Sequence, residues 1–293
     1  MNIWHEMAFN NNQWLVPVSN QYKYIELFIN NRYHGLYALT YPIDAKQFDI
    51  ENGESLFKKK DWSQTEFSHD LEPDESGGYW LPGYALQEGD SNGYQQLHNL
   101  YYEMAYSEDA EIIRKTCDID NAIDLWLFYK FTQAVDNVYA TNVKNLFTAT
   151  KISNDGIDGY KLLFCPWDMD QTFGNRFVDG QGSHGITSYF NPVDYDLPVE
   201  WSPVYFLMNS GDTEILNQVK ERYKQLRNTC WSEEYIKEAI DTYENDIYDS
   251  GAFERTMERW PDANYYSPEV KLDDFEDYVV ERLKYMDKYI GAL

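Results

Sequence analysis

Cysteine is scarce in this chain of 293 residues: Cys117, Cys165 and Cys230 are the whole supply, an odd number with no CxxC spacing. That pattern argues against a zinc site and against a disulfide framework. One bridge stays open, although Cys165 lies in an apolar run where a buried free thiol is normal. Positive charge is also short, with 24 Lys+Arg against 50 Asp+Glu and a formal net charge of −26. Such a field repels a nucleic-acid backbone or an anionic membrane. The acidic residues are spread along the chain, so most of them are solvated surface. No stretch approaches the roughly 20 apolar residues that span a bilayer. The opening, Met1 to Glu6, has neither a basic n-region nor an apolar h-region, so no signal peptide is expected in it. A cytoplasmic protein has this pattern, and so has a secreted domain without its leader.

Several catalytic signatures are missing too. The phosphate-binding P-loop and the dinucleotide fingerprint are absent. There is no GxSxG, and His5, His34, His69, His98 and His184 stand in unrelated contexts, so nucleophilic Ser/His catalysis has no support. Paired carboxylates can cleave glycosides, but Asp168 and Asp170 share one short loop and sit too close for that two-faced geometry. The 26 Tyr, 15 Phe and 9 Trp suit an extracellular or carbohydrate-rich setting, and they suit an aromatic core equally well.

What is present begins with enough length for a real core, as one large domain or two intimate lobes. Residues 24–29 alternate with Ile25, Leu27 and Ile29 on one face, Asn30-Asn31 supplies a two-residue turn, and residues 33–40 return. Gly35 within the return strand predicts close approach of backbone or ligand. Residues 44–62 read as a second β element that ends in Lys58, Lys59 and Lys60. These are a solvated strand end or, at Lys58, a phosphate contact made by a point charge. Residues 63–94 read as a long loop bordering two lobes.

From there the period turns helical. Residues 94–107 form one predicted helix and 122–135 another, with Asp118 and Asp120 as candidate caps. The second is apolar nearly all round and should be central and buried. It is predicted to run up to Asp136-Asn137, where a helix C-terminus repels a carboxylate, so Asp136 needs a partner or a task. Residues 145–150 start a strand, Ser153 to Gly156 supply a turn, and the apolar run 162–165 reads as a short buried strand. That strand delivers Asp168 and Asp170, then Phe173 and Gly174. Residues 175–200 resemble an active-site loop. Amphipathic helices follow near 201–209, 213–228, 232–248 and 273–291, and in the last Phe275, Val279, Leu283, Met286 and Ile290 keep core spacing.

Carboxylates at the mouth of a buried strand are costly without a positive partner, and a divalent cation takes oxygen ligands. The alternative is a turn in which Asp168 caps a backbone amide. Pairing across the predicted hairpin brings Asn145 towards Asp168, with Asp136 nearby. Phosphoryl transfer needs metal ligands, a positive group on the phosphates and a carboxylate that orients the acceptor hydroxyl. Asp168 with Asn145, Lys58 and Asp136 fill those roles, and they occur in kinase order.

The motifs carry a resemblance. Residues 30–37, Asn-Asn-Arg-Tyr-His-Gly-Leu-Tyr, resemble the N-G-x-Y-x-G-x-Y hairpin of the CotH family, the spore coat protein H-like atypical kinases. Leu56-Phe57-Lys58 resembles its L-Y-K. Asp136-Asn137 with Lys144-Asn145 resembles D-N-x-x-K-N, and residues 167–174 resemble W-D-x-D-x-x-F/W-G, the most specific of these elements. Arg259-Trp260-Pro261 and Glu281-Arg282-Leu283 are similar in spacing. The resemblance implies an α+β, protein-kinase-like two-lobed fold, with a β-rich N-terminal lobe over 1–93 and a helical C-terminal lobe over 94–293. It implies Mg²⁺- or Mn²⁺-dependent transfer of phosphate from ATP to Ser/Thr hydroxyls of a protein. Asp168 would be the principal metal ligand, Asp170 a supporting one, Asn145 a second metal contact and Asp136 the catalytic base. Lys58 and Gly35 would bind the nucleotide. A secreted or cell-surface setting goes with this reading, cytoplasmic placement staying open.

The sequence departs from the family pattern in three places. Nine positions separate Asp136 from Asn145 where the motif has fewer, which makes Asn142 a rival for Asn145. The family's Tyr-Glu-x-Lys stands here as Tyr84-Ala85-Leu86-Gln87, leaving Glu88 as a substitute partner for the lysine. An upstream glycine-containing strand is not evident, as if the chain began inside the N-terminal lobe. A catalytically inactive kinase fold serving as an extracellular binding or scaffold module is therefore the second expectation, and carbohydrate binding through surface aromatics the third.

Overall fold

The computed structural model describes residues 2–10, 14–67, 70–174, 197–262 and 272–293. In chain order the elements are α1 (Asn2–Asn10), β1 (Tyr22–Ile29), β2 (Arg32–Thr40), β3 (Ser55–Lys59), β4 (Tyr84–Glu88), α2 (Asn92–Tyr106), α3 (Ala110–Lys115) and α4 (Ile119–Thr132). Then follow β5 (Val138–Tyr139), β6 (Asn142–Val143), β7 (Leu146–Ile157), β8 (Tyr160–Pro166), α5 (Pro203–Asn209), α6 (Ile215–Arg227), α7 (Glu233–Glu244), α8 (Ala252–Arg259) and α9 (Leu272–Ala292). A π-helical turn, Asn245–Asp249, extends α7. The chain is α+β. The loop expected over 175–200 lies outside the described residues except at 197–200. Among the described residues no helix is long and apolar enough to cross a membrane.

The main sheet is antiparallel throughout, in the order β4-β3-β7-β8. Two of its strands precede residue 93 and two follow it, so a division there runs through one hydrogen-bonded sheet. The β7–β8 turn is Asp158-Gly159, both at positive φ (50° and 82°), as a tight two-residue hairpin needs. The Ser153–Gly156 turn expected from sequence is instead taken up in the irregular register between Ile152 and Ile157.

An edge strand exposes unpaired backbone groups, and β8 is covered along that edge. The Asn121 amide exchanges two hydrogen bonds with the backbone of Phe164 (2.8 and 3.0 Å), while Leu162 N donates to Thr116 O and Asp118 N donates to Leu162 O, both at 2.9 Å. The strand that leads to Asp168 is thereby fastened to the start of α4.

Helix α4 is central, as its all-round apolar pattern predicts: every side chain from Asn121 to Thr132 is buried. Asp118 caps its start by accepting from Asn121 N at 3.0 Å. It stops at Thr132, earlier than expected, because Gln133 turns left-handed (φ 52°). Its terminal carbonyls are met from α9, where buried Arg282 donates to Lys130 O and Phe131 O. Three cysteines, Cys117, Cys165 and Cys230, are buried free thiols, so the bridge left open by the sequence does not form.

The β1–β2 hairpin forms with Asn30 and Asn31 at positive φ (50° and 61°), but as a separate two-stranded ribbon. It packs on α8, and a ribbon against one helix buries only one face. Ile29 (47 % exposed), Phe28 and Leu39 (62 % each) are therefore open to solvent, where alternation suggested a core face for Ile29.

Candidate functional site

Asp136 lies beyond the end of α4, and the partner its charge requires is Lys144, at 2.8 Å. Asn145 Nδ2 donates to the other carboxylate oxygen at 3.2 Å. The extra residues between Asp136 and Asn145 fold into the β5–β6 hairpin, with Ala140 at φ 48°. That hairpin is pinned on two sides, by Asn142 Nδ2 to Trp62 O at 3.0 Å and by Glu200 N to Ala140 O at 3.2 Å. Asn142 is thus engaged at Trp62 while Asn145 meets Asp136.

Asn137 joins the two strand ends. Fully buried, its single Nδ2 donates to Asn145 O at 3.2 Å and to Trp167 O at 2.7 Å. Trp167 N also donates to Asn145 O at 2.9 Å. One amide therefore sits next to Asp136 in sequence and grips the residue before Asp168 as well as Asn145 itself.

Past Trp167 the chain reverses sharply, with Asp168, Phe173 and Gly174 at positive φ (55°, 50° and 84°). For residues other than glycine this conformation is sparsely populated and costs energy. Phe173 holds the far end: its N–H donates to Thr132 O at 2.5 Å, and its ring meets Phe131 and Phe275 at centroid distances of 5.3 and 5.7 Å. Asp168 and Asp170 are left on the open side of this loop. Desolvation first, then the charges of Asp168 and Asp136, push the Asp170 carboxyl above the usual carboxylate range. Three carboxylates thus share one field, which a cation would relieve.

The three consecutive lysines diverge. Lys58 places its ammonium 5.3 Å from the Trp167 ring centroid and 5.5 Å from that of Phe147. Lys59 is buried and donates to Asp61 O and Ser63 O at 2.6 and 2.8 Å, and Lys60 is exposed. Across β4, Lys58 faces Ala85, whereas Glu88 faces Leu56. No ion pair between Glu88 and Lys58 is present among the described residues.

Gly35 is not brought to this group. The close approach it predicts is made by α8: a Cβ there would meet Thr256 Cγ2 at 3.3 Å and Trp260 Nε1 at 3.4 Å. Trp260 Nε1 donates to His34 O at 2.6 Å, and Leu36 N donates to Thr256 Oγ1 at 2.9 Å. A cavity of about 160 Å³ lined by Gln95, Gln96, Asn99, Leu100, Ile157, Asp158 and Tyr160 lies at the other end of the β7–β8 pair and includes none of the candidate residues.

Two contributors were not singled out from sequence, Asn137 as the clasp and Arg282 as the cap of α4. Arg282 had a signal, since it falls on the buried stripe between Val279 and Met286. An arginine in that place needs carbonyl or carboxylate partners.

Among the described residues no group of three or more His, Cys, Asp or Glu side chains is arranged to hold a metal ion. Mg²⁺ does not require one. It takes one or two carboxylates and completes its shell with water and substrate phosphates. Asp168, Asp170 and the Asn145 amide oxygen are hard donors of that kind.

These features define a class, an α+β protein with an acidic site at the open end of a strand pair. Its family is narrower. A family model described as CotH kinase protein matches residues 5–286, nearly the whole chain, and the chain belongs to the CotH kinase family. No curated protein matches it.

Proposed function

We propose that the chain is a two-lobed atypical protein kinase that transfers the γ-phosphate of ATP to Ser or Thr hydroxyls of a protein, with Mg²⁺ or Mn²⁺. The observation that carries this reading is the meeting of Asp136 and Asn145 at 3.2 Å, beside the Asp168–Asp170 loop whose charges act on one another. Asp136 orients the acceptor hydroxyl and receives its proton, a role that asks for a held carboxylate within reach of the nucleophile. Lys144 and Asn145 hold it by both oxygens. Asp168, Asp170 and the amide oxygen of Asn145 form the cation side of the site. A bound divalent ion would neutralise phosphate charge there and align the nucleotide. Lys58 supplies a positive contact to the phosphates from the neighbouring strand β3.

The test is transfer of label from γ-labelled ATP to a casein-type acceptor, with Mg²⁺ or Mn²⁺, by the wild type and by Asp168→Ala. Label on the acceptor with the wild type and none with the variant is expected. The absence of Glu88 from Lys58 favours one other reading, an inactive kinase-like binding module. No transfer by the wild type, together with no thermal shift on adding nucleotide, would establish that reading instead.

A further inference from the structure

The place opposite Lys58 on β4 is held by Ala85, and no carboxylate pairs with this lysine among the described residues. Two aromatic rings take up the position instead. The ammonium lies 5.3 Å from the Trp167 centroid and 5.5 Å from Phe147. The rings themselves meet edge to face, at 5.9 Å and 88°, and so form a two-walled corner around the lysine. Both walls are fixed. Phe147 is buried and faces Lys58 across the β3–β7 ladder, and Trp167 is fastened by its carbonyl to Asn137 and by its N–H to Asn145.

A ring face attracts an ammonium through its quadrupole but does not neutralise it as a carboxylate does. We propose that Trp167 is a positioning residue whose indole, with Phe147, holds Lys58 where a glutamate would otherwise hold it, keeping the ammonium's full charge for a nucleotide phosphate one residue away from Asp168. This inference rests on the nucleotide-binding reading above. It also gives the Trp of the Trp-Asp-x-Asp element a task distinct from that of the carboxylates that follow it.

The experiment uses the full chain as wild type, Trp167→Leu, Trp167→Phe, Lys58→Ala and the Trp167→Leu/Lys58→Ala double variant. In protein with ¹³C-labelled lysine, one ε-methylene signal should be shifted upfield by ring current. It should vanish in Lys58→Ala, persist in Trp167→Phe and move towards the random-coil position in Trp167→Leu. Calorimetric titration with Mg-ATP and steady-state transfer give the second readout. Trp167→Leu should weaken ATP binding and raise the KM for ATP about fivefold with kcat nearly unchanged, and Trp167→Phe should recover most of that loss. In the Lys58→Ala background the Trp167 substitution should add almost nothing, since the two act as one unit. Absence of a ring-shifted Lys58 signal in the wild type overturns the proposal. So does an equal loss of ATP affinity from Trp167→Leu with and without Lys58, or wild-type ATP affinity in Trp167→Leu. A wild type that binds no nucleotide overturns the kinase reading and the positioning role together, whereas the other outcomes overturn the positioning role alone.

Discussion

Asp136 and Asn145 are nine positions apart in the chain and joined by a 3.2 Å hydrogen bond from Asn145 Nδ2 to Asp136 Oδ2. The bond makes Asn145 a donor whose replacement by a carboxylate has a defined sign. Asn145→Asp keeps a residue that tolerates the left-handed backbone (φ 52°), removes the donor and sets two negative charges in contact. Stability in urea at pH 7 should fall by about 1–2 kcal/mol, and the deficit should shrink towards pH 4 as carboxyl groups protonate. A deficit independent of pH would show that the two side chains do not face each other.

Asn137 offers a second test of the same architecture. Asn137→Ala removes both donors that grip Asn145 O and Trp167 O and leaves buried carbonyls short of a partner. The expected cost is about 2 kcal/mol in denaturant unfolding, with loss of phosphate transfer at temperatures where the variant stays folded. Unchanged stability would contradict the clasp.

Asp170 predicts a pH dependence. Its carboxyl is raised first by desolvation, then by Asp168 and Asp136. The folded value therefore exceeds the unfolded one, so ionisation costs the fold stability above the folded value and costs none below the unfolded value. Without metal, Asp170→Asn should raise Tm by about 1 °C at pH 7, a small gain because the group is solvent-exposed, and the gain should disappear near pH 3. Mg²⁺ with ATP should reverse the order, since the wild type keeps the ligand. Differential scanning fluorimetry across pH reads both.

Gly35 separates a structural role from nucleotide contact. At φ 119° and against Thr256 and Trp260, Gly35→Ala is strained and crowded. Amide exchange in β2 should accelerate, with a stability loss of about 1 kcal/mol, while ATP affinity stays at the wild-type level. Reduced ATP affinity with unchanged exchange in β2 would place Gly35 at the nucleotide instead.

The parts legible in the sequence were those with local signals. The all-round apolar run of α4 marked a central helix, Asn30-Asn31 marked a hairpin, and the apolar run before Asp168 marked β8. Asp136, Asn145 and Asp168 could be grouped because the strands that carry two of them are neighbours in the chain. Non-local pairing left no such mark. Nothing near Lys58 announces that β3 lies between β4 and β7, which is what sets its ammonium against Trp167. The partner of Gly35 lies on α8, more than two hundred residues further on, and α8 itself had not been read as a helix. Between two turn-rich segments, Asp158-Gly159 won over Ser153–Gly156 because it supplies positive φ at two successive positions.

The most direct test of the central claim compares the wild type with Asp136→Asn, measuring Mg-ATP affinity and phosphate transfer side by side. Asp136 acts on the acceptor and not on the nucleotide, so Asp136→Asn should bind Mg-ATP about as the wild type does while transfer falls by about a hundredfold or more. Transfer at the wild-type rate by Asp136→Asn, or none by a wild type that binds Mg-ATP, would contradict the account.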